Sequence, residues 1–365
     1  MLMKNSFLNI YKNKKIIITG HTGFKGAWLT YTLYLLGARI LGISKNILTK
    51  PSLFKTLNLE KKIKSKFVDI QNFKKLNQIF SKYKPDFVFH LAGQSLVRKS
   101  LEDPRETFLT NSFGTLNIVQ ALKNLNKKCS SIIITSDKSY LNVEQKKGYK
   151  ESDRLGGIDP YSASKASAEL IINCYHRSFL QKNKKISLAV ARAGNVIGGG
   201  DWSENRLIPD CIKAWSKNKT VNIRNPKSTR PWQHVLEAIG AYLYLGYLLN
   251  INKKIDGEAF NFGPSYKKNY STKEVLSNLV KYWPLKAKIK ILKKKQFYES
   301  KLLKLNCMKA KKIGWKSILS LQETLFLTTT WYKTFYFNKK NINDFSKDQI
   351  KRYFKKYNFK ILKKI

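Results

Sequence analysis

An apolar run, Ile16 to Thr19, is followed at once by G-H-T-G-F-K-G, and then by Leu29, Leu33 and Leu36 on one helical face. A short buried strand, a glycine turn and an amphipathic helix in that order leave few choices of fold. Gly20, Gly23 and Gly26 are spaced three apart, so the backbone can turn tightly and a ligand can approach it closely. The helix start offers unsatisfied N–H groups and the positive end of a dipole, which suits a dinucleotide pyrophosphate. The spacing is G-x-x-G-x-x-G rather than G-x-G-x-x-G, and a plain strand-to-helix turn is the alternative.

The alternation continues down the chain. Strands are expected at Arg39–Ile43, Phe67–Ile70 (which holds Asp69), Phe87–Leu91, Ile132–Thr135 and Ile186–Ala191. Between them fall helices marked by Phe73, Leu76, Phe80 and Tyr83, by Pro104 onward past Asn111 to about Leu125, and by Tyr161 onward. This order predicts an α/β fold with a Rossmann-like, doubly wound parallel sheet over residues 1–195. Ligands on such sheets sit at the carboxyl ends of the strands, and Gly20, Asp69, Ala92, Ser136 and Asn195 all fall at or just beyond such ends.

Beyond Asn195 the texture changes to loops (G-G-G-D-W, Asn225-Pro226, Arg230-Pro231) between shorter elements. Helices are expected at Leu207–Trp215, Leu236–Leu249, Thr272–Tyr282 and Leu321–Phe335, and strands at Val221–Ile223, Ala259–Phe262 and Lys288–Leu292. Residues 196–340 are read as a smaller mixed α/β substrate-binding lobe over the carboxyl edge of the sheet. Residues 341–365 are read as a lysine-rich surface helix and tail, striped by Ile350, Tyr353 and Phe354.

The 365 residues carry a net charge of +47. The lysines are scattered among Asn, Ile, Phe and Tyr in every segment rather than gathered in an arm, which reads as a lysine-coated surface and not as a nucleic-acid site. Attraction for phosphorylated small molecules is still expected from this charge. Cys129, Cys174, Cys211 and Cys307 form no C-x-x-C, and the four histidines are dispersed, so neither a disulfide framework nor a metal site is expected. There is no apolar run of signal-peptide or membrane-spanning length, so a cytoplasmic protein with no membrane span is expected.

The chemistry is concentrated between Ser136 and Lys165. Tyr161 and Lys165 are four apart at the head of a helix and share a face. A phenol with a pKa of about 10 is a poor base at neutral pH, and a nearby cation lowers that value. A hydroxyl, a phenol and an ammonium together can take a proton from an alcohol while hydride leaves its carbon.

The ordered motifs T-G-H-T-G-F-K-G (from Thr19), H-L-A-G-Q (from His90), T-S-D-K-S-Y (from Thr135), D-P-Y-S-A-S-K (from Asp159), R-A-G-N-V-I-G-G-G-D-W (from Arg192), R-L-I-P-D (from Arg206) and R-N-P-K-S-T-R-P-W-Q-H-V (from Arg224) span nearly the whole chain. In these the chain resembles the CDP-glucose 4,6-dehydratases, NAD-dependent sugar-nucleotide dehydratases of the extended short-chain dehydrogenase/reductase family. The resemblance implies a homodimer that holds NAD and makes CDP-4-keto-6-deoxyglucose for 6-deoxy and dideoxy sugars of cell-surface polysaccharide.

By that resemblance, Tyr161, Lys165 and Ser136 take the proton of the sugar 4-hydroxyl as hydride leaves C4. Asp137 is then the acid that protonates the C6 hydroxyl, and Lys138 the base that removes the C5 proton. NAD falls to Gly20, Gly23, Phe24, Lys25 and Gly26, to Asp69 and Ile70, to Leu91, Ala92 and Gln94, to Asn111, and to the Tyr161–Lys165 pair. The substrate diphosphate falls to Arg206 and Arg230 with Asn195, and less so to Arg224.

One part of the pattern falters. The second strand ends Gly42, Ile43, Ser44, Lys45, with no acidic residue for the cofactor ribose. Either another group holds that ribose or a 2′-phosphate is accepted near Lys45; a redox-neutral cycle favours NAD. Trp202 and Trp232 can stack on the base or fill the lobe interface. His21 can tune the turn or only shape it, and His90 and His234 read as packing. A dehydratase for another nucleotide sugar, or a 4-epimerase, is the rival reading; an epimerase has no need of the Asp137–Lys138 pair.

Overall fold

The computed structural model describes residues 7–223, 225–265, 268–292, 302–338 and 341–356. Its centre is a seven-stranded, wholly parallel sheet. In chain order the strands are β1 (Lys15–Thr19), β2 (Arg39–Ser44), β3 (Lys64–Phe67), β4 (Phe87–His90), β5 (Cys129–Ile134), β6 (Ile186–Ala193) and β7 (Ala259–Phe262), and in space they run β7-β6-β5-β4-β1-β2-β3. The order reverses between β1 and β4, which opens a crevice at their carboxyl ends.

The sequence of each strand matches its place. β5 and β6 are buried at every residue, as strands covered on both faces must be. β3, K-S-K-F, lies at an edge, where its lysines blunt the unpaired backbone. Alternate side chains feed two cores: Ile16 and Ile18 of β1 and Ile132 and Ile134 of β5 enter one, Ile17 and Ile133 the other.

Helix α1 (Phe24–Leu35) packs on the first face, and α2 (Phe73–Tyr83), α3 (Gly114–Lys123) and α4 (Pro160–Tyr175) supply the second. The stretch expected as one helix from Pro104 is continuous but not uniform. A short α-segment, Pro104–Phe108, runs through a π turn, Leu109–Phe113, into α3. The wide turn buries Asn111 and Ser112.

The smaller lobe holds α5 (Leu207–Trp215), the parallel pair Thr220–Ile223 with Lys288–Ile291, and the antiparallel pair Thr229–Arg230 with Tyr270–Ser271. Between these elements the chain returns to the main sheet. Helix α6 (Val235–Ile251) is apolar on nearly every side and packs beneath β5 and β6, and β7 then pairs with β6. Ala259–Phe262 is therefore a strand of the main sheet and not of the smaller lobe, a correction to the reading from chain order. A helix without a polar face has to be covered, and the underside of the sheet covers it.

Helix α7 (Thr272–Tyr282) begins with a capping box, as does α8 (Leu321–Phe337). The C-terminal helix α9 (Ile342–Lys356) is docked rather than superficial: Ile350, Tyr353 and Phe354 are buried, and Tyr353 donates to Oε2 of the buried Glu237 at 2.9 Å. The tail expected beyond it lies outside the described residues. Two smaller shifts are a third strand that ends at Phe67, leaving Asp69 and Ile70 in the turn beyond it, and a β5 that begins earlier, at Cys129.

Candidate active site

The glycine turn has the expected form. Gly20 takes a φ of +75°, and a Cβ there would meet the Ala92 amide nitrogen at 2.7 Å. A Cβ on Gly26 would strike the Gly20 carbonyl oxygen at 2.0 Å, so the helix starts hard against the turn. Ala27 makes the first helical bond, to Gly23, and no side chain caps the end. The amides of Phe24, Lys25 and Gly26 thus precede the helical ladder, in a cradle that only hydrogens at Gly20 and Gly26 leave clear. This fits a dinucleotide pyrophosphate.

Around the mouth of the crevice, β5 and α4 bring the catalytic candidates together. Ser136 caps the short turn after β5: its Oγ accepts from the Lys138 amide at 3.2 Å and donates to Asp137 Oδ1 at 3.1 Å. Asp159 caps α4 and Pro160 occupies its first turn, which fixes where Tyr161 and Lys165 point. Tyr161 is bonded to Ser136 and nearly buried. Burial pushes its phenol up, against the Ser136 bond and Arg206, so desolvation outweighs the lowering by a cation that the sequence suggested.

Lys165 is pushed down to about 8 by burial, opposed by Glu169 one turn on. Asn111, set by the π turn, donates to the Gln94 carbonyl and to Ser164 Oγ, both at 2.9 Å. A Cβ on Gly93 would meet Asn111 Oδ1 at 2.8 Å and Lys165 Nζ at 3.1 Å, so amide and ammonium flank the same glycine.

Asp137 is 2% exposed, and its Oδ2 has no hydrogen-bond partner. Burial raises its pKa against Lys138, the Ser136 bond, Arg230 and Lys25. Such a carboxyl holds its proton longer than an ordinary aspartate, which suits an acid. A Cβ on Gly194 would stand 2.3 Å from that Oδ2 and 2.8 Å from Pro231 Cγ, so the end of β6 and the Arg230-Pro231 loop close over this carboxyl.

Lys25, from the glycine turn, also looks into this pocket. Burial lowers it to about 7, with repulsion from Lys165 and Arg206 and attraction to Asp137 and Asp201. Arg206 ion-pairs with Asp201 at 2.9 Å and donates to Ser95 Oγ at 2.8 Å. Arg230 donates to the Thr229 carbonyl at 2.8 Å, and the Asn195 main-chain carbonyl accepts from the Gln233 backbone amide at 3.1 Å. Lys25, Arg206 and Arg230 thus gather around Asp137 and Tyr161, a cationic surround that suits a nucleoside diphosphate. Arg224 lies outside the described residues.

Other candidates settle as packing. His21 is turned from the glycine turn: its Nδ1 meets Ser44 Oγ at 2.9 Å, its Nε2 meets Ser65 Oγ at 3.0 Å, and burial lowers it to about 4. It braces β1 to β2 and β3. His90 bonds Thr19 at 2.6 Å and Thr115 at 3.2 Å, and His234 accepts from the Leu236 amide at 3.2 Å. Trp202 joins Trp331, Tyr332 and Phe335, and Trp232 donates to the Tyr270 carbonyl at 3.3 Å; both fill the interior instead of offering a stacking face.

Sequence reasoning missed three partnerships. Glu169, buried, takes Thr135 Oγ1 at 2.7 Å and Arg192 Nε at 2.8 Å, which locks α4 to β5 and β6 behind Lys165. Asp201 holds Arg206, and Lys45 bridges Asp69 and Glu106. Glu169 and Arg192, 23 apart, and Lys45 and Glu106, 61 apart, leave no local spacing to read, and Asp201 and Arg206, five apart, lie in a loop with no fixed period.

A parallel sheet with this glycine turn, and with serine, tyrosine and lysine assembled at its carboxyl edge, defines an extended short-chain dehydrogenase/reductase. The chain belongs to the GDP-mannose 4,6 dehydratase family, which it matches over residues 17–327. It is 39% identical to a CDP-glucose 4,6-dehydratase of Salmonella typhimurium over 89% of this chain and 92% of that one. It is 29% identical to a CDP-paratose 2-epimerase of Salmonella typhi over 73% and 84%. Its fold is that of a dTDP-glucose 4,6-dehydratase of Streptomyces venezuelae solved with NAD bound (TM-score 0.74, 19% identity, 87% and 97% coverage). A UDP-glucose 4-epimerase of Thermotoga maritima shares it (TM-score 0.76, 22%, 88% and 99%).

Proposed function

We propose that the chain is a hydro-lyase that converts CDP-glucose to CDP-4-keto-6-deoxyglucose and water. The observation that carries this reading is Asp137: a buried carboxyl with a raised pKa and an unengaged oxygen, one residue from Lys138 and hydrogen-bonded to the serine that meets Tyr161. A 4-epimerase needs no acid there. Likeness to the Salmonella enzyme supports cytidine as the base.

The residues divide the work between oxidation and elimination. Tyr161 accepts the proton of the 4-hydroxyl, with Ser136 orienting the phenol and Lys165 favouring its ionised form. NAD, when bound, would supply the hydride acceptor for C4 and, once reduced, the hydride donor for C6. Once C4 is a ketone the C5 hydrogen is acidic. Asp137 gives its proton to the C6 hydroxyl, which departs as water; Lys138, in its neutral form, takes the C5 proton and gives one back to C5 when C6 is reduced. Gly20, Gly23, Phe24, Lys25 and Gly26 hold the cofactor diphosphate; Asp69 and Ile70, Leu91 and Ala92, Gln94 and Asn111 line the rest. Arg206, Arg230 and Asn195 hold the substrate diphosphate.

Residues 1–195 carry the cofactor and the catalytic groups, and residues 196–340, apart from α6 and β7 of the main sheet, close mainly over the sugar nucleotide. The protein works as a homodimer through the outer faces of the Leu109–Phe113 π turn and α4, where Phe113 and Leu170 are more than half exposed. It works in the cytoplasm, where the four cysteines stay unpaired. Its product feeds 6-deoxy and dideoxy sugars of cell-surface polysaccharide.

The test is incubation with CDP-glucose, dTDP-glucose, UDP-glucose and GDP-mannose, reading the 4-keto product by its absorbance in alkali. Product from CDP-glucose alone is expected. Product from another nucleotide sugar, and none from CDP-glucose, refutes the substrate.

A further inference from the structure

β2 closes with Ser44 and Lys45 follows it, where a fold that prefers NAD ordinarily offers a carboxylate to the adenosine ribose. Lys45 Nζ lies 2.8 Å from Oδ2 of Asp69, just beyond β3, and 3.1 Å from Oε1 of Glu106, in the segment Pro104–Phe108. Both carboxylates are fixed in turn. Asp69 Oδ1 accepts from the Gln71 amide at 3.0 Å, and Glu106 accepts from Gln71 Nε2 at 3.0 Å and from Thr110 Oγ1 at 3.2 Å. The lysine is pinned between two anions that three further groups hold in place.

The cluster faces solvent, with side-chain exposures of 58% for Lys45, 29% for Asp69 and 31% for Glu106, so a ligand entering over the ends of β2 and β3 meets it. Its balance is one cation against two anions. Bonds to Asp69 and Glu106 raise Lys45, and the Gln71 bond, followed by Lys45, lowers Glu106, so the lysine and this glutamate stay charged near neutral pH.

We propose that Glu106, acting with Asp69, sets the choice of dinucleotide: by matching the charge of Lys45 from across the crevice, the two carboxylates leave the adenosine end of the site net negative, so that it accepts a free ribose and rejects a 2′-phosphate. The inference rests on the reading of this crevice as a dinucleotide site. A ribose hydroxyl can donate to a carboxylate. A 2′-phosphate adds nearly two negative charges and requires a cation that is not already matched. Lys45 alone, read from the sequence, suggests acceptance of that phosphate; Lys45 between Asp69 and Glu106 suggests the reverse. Glu106 would thus supply from the segment after β4 the negative charge that related folds place at the end of β2.

The test is equilibrium binding of NAD+ and of NADP+, by calorimetry, to the full-length protein stripped of nucleotide, in wild type, Glu106→Gln and Lys45→Ala, with thermal melts to verify folding. Wild type should prefer NAD+. Glu106→Gln should tighten NADP+ on the order of tenfold while NAD+ stays within about threefold, and the gain should shrink as salt rises. Lys45→Ala should weaken NADP+ further. An unchanged preference in Glu106→Gln, or a wild type that binds NADP+ as tightly as NAD+, overturns the proposal while leaving the dinucleotide site standing. A wild type that binds neither overturns the site itself, and this inference with it.

Discussion

Gly194 and Asp137 touch through the space where any other residue at 194 would carry its Cβ: an atom there would lie 2.3 Å from the Asp137 carboxylate. The end of β6 thereby sets the position of this carboxyl, the proposed acid. Gly194→Ala should displace Asp137 and lower product formation on the order of a hundredfold, the scale of a mispositioned general acid. The sheet should still fold, because the strain falls on the pocket. Steady-state rates alongside a thermal melt check this, and an alanine variant with ordinary turnover would show that the acid lies elsewhere.

The acid and base can be separated from the first oxidation. Lys138→Ala and Asp137→Asn should each permit hydride to leave C4 but block loss of water. In a single turnover with CDP-glucose, absorbance at the reduced-cofactor wavelength should rise and persist, where the wild type shows only a transient. Lys138→Ala turning over normally would remove it as the base.

Tyr161→Phe should act earlier, slowing the first oxidation by about 10²–10⁴-fold, so that no reduced cofactor accumulates. Lys165 adds a pH signature. Burial holds it at about 8, so its ammonium is present below that pH and is lost as pH rises through it. The rate of the first hydride step should decline above about pH 8. A stopped-flow profile that stays flat to higher pH would contradict this assignment.

Glu237 offers a stability test away from the chemistry. Burial raises it from an ordinary 4.5 to about 7, against the Leu319 and Ile318 amides and Tyr353. Between those values the folded chain keeps a proton that the unfolded chain releases, so this group makes stability fall as pH rises through the window. Glutamine can accept both amides and donate to Tyr353. The stability of Glu237→Gln relative to wild type should therefore improve from pH 5 to pH 8, by at most on the order of 3 kcal/mol. Denaturant melts at the two pH values measure it.

Phe113 and Leu170 test the assembly. Leu170→Glu, or Phe113→Glu, should shift the mass in solution from dimer to monomer by light scattering, with the melt of the single chain otherwise preserved. A monomeric wild type would refute the dimer directly.

Much of the fold was legible because its signals are local. The glycine turn and the buried strands are consecutive residues with one physical meaning each. The catalytic candidates were legible for the same reason, since Ser136–Lys138 and Tyr161–Lys165 each lie within one turn. The features that could not be read came from distant partners. β7 joins the main sheet because α6 has to be covered, a demand that appears only once the sheet exists. The roles of Trp202 and Trp232 were open until α8 and Tyr270 came against them. Lys45 leaves acceptance of a 2′-phosphate open in the sequence because Glu106, 61 positions away, has no visible tie to it. The phenol of Tyr161 was misjudged because a sequence reveals a nearby lysine but not how little water remains.

The π turn at Leu109–Phe113 carries a consequence for how such a chain can change over time. One added residue lets the segment after β4 continue in the same direction while rotating the helix beyond it, and it is this phase that turns Asn111 inward. Deleting a single residue there would mend the regular winding yet swing the amide roughly 100° from Ser164 and Gln94. Swapping side chains is thus the gentler form of variation in this stretch, and its length is held more tightly than its composition.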